Sequence, residues 1–249
     1  MKSRRLILMV FPLVLGMGLI PYVHAQLGDL LKDFKLKDLK ESVGSGSGLS
    51  NEDIVGGLKE ALEVGTKNAV GNVSKLDGYY KNPKIRIPLP GAVQKVKKAL
   101  MAVGYGAQVD AFELSMNRAA EQAAPQAEAI FWDSIKQMSF TDARKILNGP
   151  NNAATMYFKK KTSAQLNKIF KPIVHNTMSE VGVTRQYQDL DEKVRTIPFT
   201  ESFSFDLDDY VTNKSLDGLF LMLAEEEKAI RQNPAARVTS LLKQVFGSK

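Results

Sequence analysis

Residues 107–123 of the sequence, AQVDAFELSMNRAAEQA, predict an amphipathic α-helix and set the fold class of the chain. Apolar side chains recur along this stretch at Val109, Phe112, Met116, Ala119 and Ala123. Residues three and four apart share one face of an α-helix, whereas a half-buried strand would need strict alternation. The stretch therefore predicts a helix with one buried face, and the same spacing recurs along most of the chain.

Helical patterns on both sides of this stretch predict an all-α fold, a compact multi-helix bundle. Residues 92–103 form one such pattern and end before Gly104, which suits a helix C-terminus. A long pattern contains Pro172, which predicts a kink or a break in that helix. The other predicted helices begin at a capping residue or an early proline, namely at Ser50, Pro125, Thr141, Asn152, Asp206 and Asn233.

Two short segments do not fit the helical pattern. Residues 82–90 contain three prolines, which fix an extended path, and Ile85, Ile87 and Leu89 alternate with polar residues or proline. Residues 197–205 have the same alternating character. The fold prediction therefore allows at most one small two-stranded extended ribbon on the helical body.

The N-terminal residues 1–25 have the three parts of a cleavable secretory signal. A basic start at Lys2, Arg4 and Arg5 precedes an apolar run over residues 6–20, and Val23 and Ala25 supply the small residues at the cleavage site. An uncleaved anchor is the alternative, but this run is shorter than the roughly 20 residues that span a bilayer. We expect cleavage after Ala25 and a mature protein in the periplasm.

The predicted domain organisation follows from two further changes in composition. Residues 26–48 combine a lysine-rich amphipathic segment with a flexible Gly/Ser linker, and residues 49–249 form a single helical domain. At helical spacing Leu27, Leu30, Leu31 and Phe34 share one face. Peripheral contact with a membrane and a weakly docked segment both remain open for residues 27–41.

Composition excludes several classes of function. The 249 residues include no cysteine and two histidines, of which His24 lies in the predicted signal. Disulfides, thiolate metal sites, a cysteine nucleophile and a multi-histidine zinc site are therefore excluded for one chain. The net charge of +7 is partly the signal's own, and the rest is interleaved with acids rather than clustered. We predict no nucleic-acid partner, no cofactor and no resident metal.

Several short stretches carry a resemblance to a known family. They are Leu89-Pro90-Gly91, Asn117-Arg118-Ala119-Ala120-Glu121, Ala123-Ala124-Pro125, Asp142-Ala143-Arg144-Lys145-Ile146-Leu147, Ala153-Ala154-Thr155, Tyr157-Phe158, Leu216-Asp217-Gly218-Leu219-Phe220 and Asn233-Pro234-Ala235-Ala236-Arg237. In these stretches the chain resembles a bacterial family of exported, all-helical proteins, periplasmic or lipoprotein-like, that is catalogued only as a domain of unknown function. The resemblance covers about residues 49–247 and implies no activity. Many relatives look like lipoproteins, an anchor that a chain without cysteine cannot carry.

The richest polar constellation is Asp110, Glu113, Asn117 and Glu121, with Arg118 beside them. These residues fall close to one stripe of the 107–123 helix. Paired carboxylates a turn apart can act as an acid and a base or bind a hard cation through oxygen. The favoured interpretation is a solvated outer face held by intrahelical pairs.

His175 completes the candidate binding residues. No motif ties it to a serine or cysteine, so a hydrogen-bonded structural histidine is favoured over catalysis. Two other charged runs are assigned to the exterior: residues 225–227, three glutamates followed by Lys228 and Arg231, and residues 159–161, three lysines able to touch anionic lipid.

Two classes of function remain open. The favoured prediction is a non-enzymatic periplasmic envelope protein, a helical module that binds an apolar ligand or another envelope protein. The alternative is a metal- or carboxylate-dependent hydrolase that uses Asp110, Glu113 and Glu121, which would require those carboxylates to converge on a concave pocket. No catalytic residue is assigned, and the oligomeric state is not predicted.

Overall fold

The first helix begins at the capping residue that the sequence indicates. The Ser50 hydroxyl accepts a hydrogen bond from the Asp53 backbone N–H at 3.1 Å, and the Asp53 carboxylate accepts one from the Ser50 N–H at 3.1 Å. This reciprocal capping box satisfies two N–H groups that the helix itself cannot bond. Ser139 and Asp142 form a second capping box, at the start of the short helix that was predicted near Thr141.

The computed structural model describes residues 50–180 and 206–233, together with Glu192 and Lys243. The predicted signal, the 26–48 segment, the 197–205 segment and the last predicted helix lie outside the described residues. The helices of the described residues, in chain order, are α1 (Asn51–Ser74), α2 (Gly91–Ala102), α3 (Gly106–Ala123), α4 (Ala127–Lys136), α5 (Phe140–Leu147), α6 (Ala153–Glu180) and α7 (Leu207–Gln232). A 3₁₀ turn (Ala124–Gln126) lies between α3 and α4.

These helices pack together with no strand among the described residues, so the all-α prediction is confirmed. Helix α3 contacts α1, α2, α6 and α7, and α6 runs alongside α7. The five apolar residues that predicted α3 are all fully buried. Phe131 of α4 lies 5.1 Å from Phe158 of α6 and 6.1 Å from Phe220 of α7, measured between ring centroids, at the centre of the core.

Residues 82–90 run between α1 and α2 without forming a strand, so the strand suggested by their alternation is absent. The alternation still marks the buried side chains, because Ile85, Ile87 and Leu89 are at most 5% exposed. The physical reason for the missing strand is that the backbone of Ile87 bonds to a side chain of α3, as described below, rather than to a second strand.

Helix α6 runs through Pro172 without a break, contrary to one of the two outcomes predicted for that residue. Proline removes the hydrogen bond to the carbonyl four residues earlier, here that of Lys168. Pro172 and Lys168 are both exposed, so water can bond the freed carbonyl and the helix continues. None of the helices in residues 50–180 and 206–233 is long and apolar enough to cross a membrane.

Candidate functional site

The polar residues of α3 are buried, not solvated. Glu113, Asn117 and Glu121, here called the α3 polar stripe, are 9%, 0% and 4% exposed. Asp110 lies one turn earlier and is exposed. The predicted solvated face is therefore wrong for the stripe and right for Asp110, because the stripe faces the segment between α1 and α2 instead of water.

Asn117 binds the extended segment as a neighbouring strand would. Its Oδ1 accepts a hydrogen bond from the Ile87 N–H at 2.8 Å, and its Nδ2 donates to the Ile87 carbonyl at 2.9 Å. Nδ2 also donates to the Glu113 carbonyl at 2.8 Å. An asparagine amide carries both a donor and an acceptor, so it can satisfy both backbone groups of one buried residue.

Glu121 binds the chain just after α1. One carboxylate oxygen accepts hydrogen bonds from the backbone N–H groups of Tyr79 at 3.0 Å and Tyr80 at 3.2 Å. The other oxygen accepts one from Arg118 Nη1 at 2.5 Å, and Arg118 Nη2 reaches Asp77 Oδ1 at 2.6 Å. A buried carboxylate needs such donors, because an unpaired charge removed from water is costly.

Asp77 and Tyr79 complete this cluster. Asp77 has a φ of 66°, a left-handed conformation that Asp tolerates better than most residues, and it turns the chain at the end of α1. Hydrogen bonds from Lys81 and then Arg118 lower the pKa of the Asp77 carboxyl. The buried Tyr79 hydroxyl donates to the Ser215 carbonyl at 2.6 Å, and burial, followed by the nearby Glu121 charge, raises the pKa of the Tyr79 phenol.

Glu113 is held by two cations. Arg86 Nε lies 2.9 Å from one carboxylate oxygen, and Lys97 Nζ lies 3.9 Å from the other. Arg86 also stacks over the Tyr80 ring at 4.5 Å from its centroid. Every oxygen of Glu113 and Glu121 thus faces a donor of this chain. No group of three or more metal-ligating side chains occurs within the described part of the chain.

The structure separates His175 from the stripe. His175 Nδ1 lies 2.7 Å from Asp208 Oδ2, which links α6 to the start of α7, and the histidine side chain is 56% exposed. No hydrogen bond or ion pair joins His175 or Asp110 to the stripe among the described residues. Of the six candidate residues, Glu113, Asn117, Arg118 and Glu121 are therefore brought together, and Asp110 and His175 are not.

Glu227 is an important buried residue that sequence reasoning assigned to the exterior. It is 7% exposed, and its carboxylate accepts hydrogen bonds from the Ala154 and Thr155 N–H groups, each at 2.9 Å. Arg231 Nη2 lies 2.9 Å from Glu227 and also donates to the Ile146 carbonyl at 2.7 Å. Glu227, a residue of α7, thus caps the N-terminus of α6, and a negative charge is favoured at a helix N-terminus.

A signal for this cap was present in the sequence. Glu227 lies four residues after Leu223 and three before Ile230, so it occupies the apolar register of α7. A glutamate in that register, with an arginine four residues later, indicates a buried ion pair. The neighbouring Glu225 and Glu226 are only partly buried, so the predicted charged exterior is wrong for Glu227.

A water-sized cavity lies beside this cap. Its volume is about 20 Å³, and its lining comes from apolar side chains of α1 together with Ile146, Ala154, Ile230 and the Glu227–Arg231 pair. This is room for about one water molecule.

Apolar side chains are exposed where α6 and α7 run side by side. Met156 is 60% exposed and Leu221 is 42% exposed. Along the sequence, Met156 lies between Ala154 and Lys159, and Leu221 lies between Asp217 and Glu227. These flanking residues pair across the two helices, because the Ala154 N–H donates to Glu227 and Lys159 Nζ lies 3.9 Å from Asp217. We call Met156 and Leu221 with this lysine and aspartate the α6–α7 face.

A family model described as a protein of unknown function (DUF4197) matches residues 48–247. No curated protein and no solved structure matches the chain. The matched range includes α1 to α7 and the α3 polar stripe, and it bears out the resemblance drawn from the sequence motifs.

Proposed function

We propose that this chain, which belongs to the DUF4197 family, is a non-enzymatic exported protein that binds another protein of the bacterial envelope. The observation that carries the proposal is that the carboxylates of α3 bond to other parts of this chain and are not open to a substrate. Glu113 and Glu121 are buried and bonded to the chain's own cations and backbone N–H groups. The basic, apolar and small-residue parts of residues 1–25 support export to the periplasm.

The same burial and the same contacts of the α3 glutamates argue against the hydrolase alternative. A general acid or base must lie within hydrogen-bond reach of a substrate proton, in a site that substrate can enter. Glu121 is 4% exposed, and its oxygens are occupied by Tyr79, Tyr80 and Arg118. Asp110 is exposed, but no hydrogen bond joins it to either glutamate among the described residues. An arrangement of this kind holds a segment in place, which is a structural task.

A small apolar ligand is less well supported than a protein partner. Ligand pockets usually enclose about 300–1,000 Å³. The cavity beside Glu227 encloses about 20 Å³. Two of the exposed apolar side chains, Met156 and Leu221, lie on α6 and α7, which also carry the Lys159–Asp217 pair. Apolar side chains with a charged rim are the usual composition of a protein–protein contact.

The experiment that tests the proposal is site-specific photo-cross-linking in an exporting bacterial host. A photoreactive residue is placed at Met156, at Leu221 or, as a control, at the exposed Lys67 of α1. We expect one adduct of discrete mass from the first two positions and none from Lys67. The adduct formed from position 156 should disappear when Leu221→Asp is added. Adducts of equal yield at all three positions, or none at any, would contradict the proposed partner.

Native mass spectrometry of the exported protein separates the alternatives. We expect a chain that begins at Gln26 and carries no stoichiometric small molecule. A stoichiometric divalent metal would restore the hydrolase, and a stoichiometric lipid would favour the apolar-ligand alternative. A chain that begins at Met1 would remove the argument for cleavage and export.

A further inference from the structure

The chain between Asp77 and Asp110 contains no acidic residue. Its charged residues are all basic, and they are Lys81, Lys84, Arg86, Lys95, Lys97 and Lys98. This segment includes the extended residues 82–90 and the whole of α2. Such a one-sided distribution creates a local positive potential along this segment.

The partners of these cations divide them into two groups. Lys81 pairs with Asp77, Lys84 with Glu225, and both Arg86 and Lys97 with Glu113. Lys95 and Lys98 are exposed, and neither forms an ion pair with any of the described residues. Among the described residues, the charge of the segment that has no ion-pair partner is therefore concentrated on α2.

Lys95 and Lys98 share one side of α2 with apolar residues near its end. Val93 and Leu100 are fully buried and mark the side that packs towards α3. Lys95, Lys98 and Ala102 follow one another at spacings of three and four on the opposite side. Met101 is 50% exposed and Val103, the residue after the helix, is 64% exposed.

The turn after α2 begins at Val103, whose side chain is exposed. Gly104 has a φ of 92°, a left-handed conformation that reverses the chain between α2 and α3. Tyr105 N–H then bonds back to the Leu100 carbonyl at 2.9 Å and closes the turn. Val103 thus lies at the corner between two helices, two residues after the exposed Met101.

We propose that Lys95, Lys98, Met101 and Val103, here called the α2 tip, dock on an anionic lipid bilayer. The two lysines would contact lipid phosphates while the two apolar side chains enter the interface, a division of charge and apolar area typical of peripheral membrane contacts. Charge complementarity favours the anionic surface, because the tip carries two lysines and no acid, and no acid of residues 50–180 or 206–233 pairs with them. The α2 tip is separate from the α6–α7 face, so this contact goes beyond the proposed protein partner and does not depend on it.

The test measures binding of the exported chain to vesicles of phosphatidylcholine with or without phosphatidylglycerol. We expect binding to the anionic vesicles, little binding to the neutral ones, and weakening by salt. Each lysine near an anionic surface is worth roughly fivefold in affinity, so Lys95→Gln with Lys98→Gln should weaken binding by about 25-fold. The matched control is Lys67→Gln with Lys75→Gln, which removes the same charge from exposed positions of α1 and its C-cap and should change binding by less than about twofold.

A second readout distinguishes entry into lipid from contact with an acidic protein. Because the chain has no cysteine, Val103→Cys and Leu221→Cys each provide one site for an environment-sensitive dye. We expect a blue shift at position 103 on adding anionic vesicles and none at position 221. Loss of binding in the α1 control equal to that in the α2 variant, or equal dye responses at both positions, would overturn the proposal. Circular dichroism of each variant checks that the helices are retained.

Discussion

Replacing Asn117 with alanine tests whether the α3 polar stripe holds the extended segment. The substitution removes the partner of both backbone groups of Ile87, a residue that is 1% exposed. Each buried backbone group left unpaired costs about 1–3 kcal/mol, so two groups cost about 4 kcal/mol. The higher helix propensity of alanine returns about 0.5 kcal/mol. The free energy of unfolding should therefore fall by about 3.5 kcal/mol.

Urea unfolding followed by circular dichroism measures this loss. With an m value of about 2 kcal/mol per molar urea, the midpoint should fall by nearly 2 M. The matched control is Asn213→Ala on α7, whose exposed side chain accepts one surface hydrogen bond from Asn167 at 3.3 Å. That variant should stay within about 0.5 kcal/mol of the parent protein.

Hydrogen exchange localises the effect. The Ile87 N–H is bonded to a side chain, so its protection should fall in the Asn117→Ala variant well before that of the α6 amides. A loss of stability below about 1 kcal/mol, with unchanged protection at Ile87, would refute the view that the stripe replaces a strand. A large loss with uniform deprotection would assign Asn117 to the core in general and not to this segment.

Four further predictions concern residues on or beside the same helices. Gly218→Ala should lower stability by about 1–3 kcal/mol in thermal unfolding, because the new Cβ would lie 2.7 Å from the Tyr79 ring. Gly71→Ala, in open space on α1, should instead raise stability by about 0.5–1 kcal/mol. Glu227→Gln should cost about 1.5–3 kcal/mol in urea, because an amide weakens the buried hydrogen bonds that the carboxylate accepts from Arg231 and from the Ala154 and Thr155 N–H groups. A change below about 1 kcal/mol would contradict the role of the cap. Folding raises the pKa of Tyr79, so the contribution of its neutral phenol to stability is complete below the unfolded pKa of about 10 and is lost as pH rises above that value. Urea midpoints should therefore fall at alkaline pH, and they should fall less in the Tyr79→Phe variant.

The helices could be predicted from the sequence because local rules decide them. Ser50 and Asp206 are capping residues that the structure uses as expected, and Gly104 stands where α2 has to turn. The apolar face of α3 is buried at each of the positions that its spacing indicated. In such segments the residue type, the helical period and the burial agree, so no knowledge of the neighbouring helices was needed.

The site could not be predicted because its environment comes from distant parts of the chain. Asn117 and Glu121 have the spacing of a polar helix face, and nothing local shows that residues 79–87 cover them. The information lies in a mismatch between two segments. Residues 82–90 have an extended, apolar pattern whose backbone groups need partners, while α3 carries amide and carboxylate groups in a stripe. Reading both together would have predicted the contact.

The α3 polar stripe also determines how the hydrolase alternative can be tested without confusion. Loss of activity in Glu121→Gln would have two causes, since that carboxylate also binds the backbone at Tyr79 and Tyr80. Asp110 is the member of the proposed carboxylate set that is exposed and outside the stripe. Asp110→Asn should therefore leave unfolding unchanged within about 0.5 kcal/mol. If a hydrolytic activity were found and Asp110→Asn abolished it, the chemistry would belong to an accessible carboxylate, and the structural role assigned to Glu113 and Glu121 would stand unchanged.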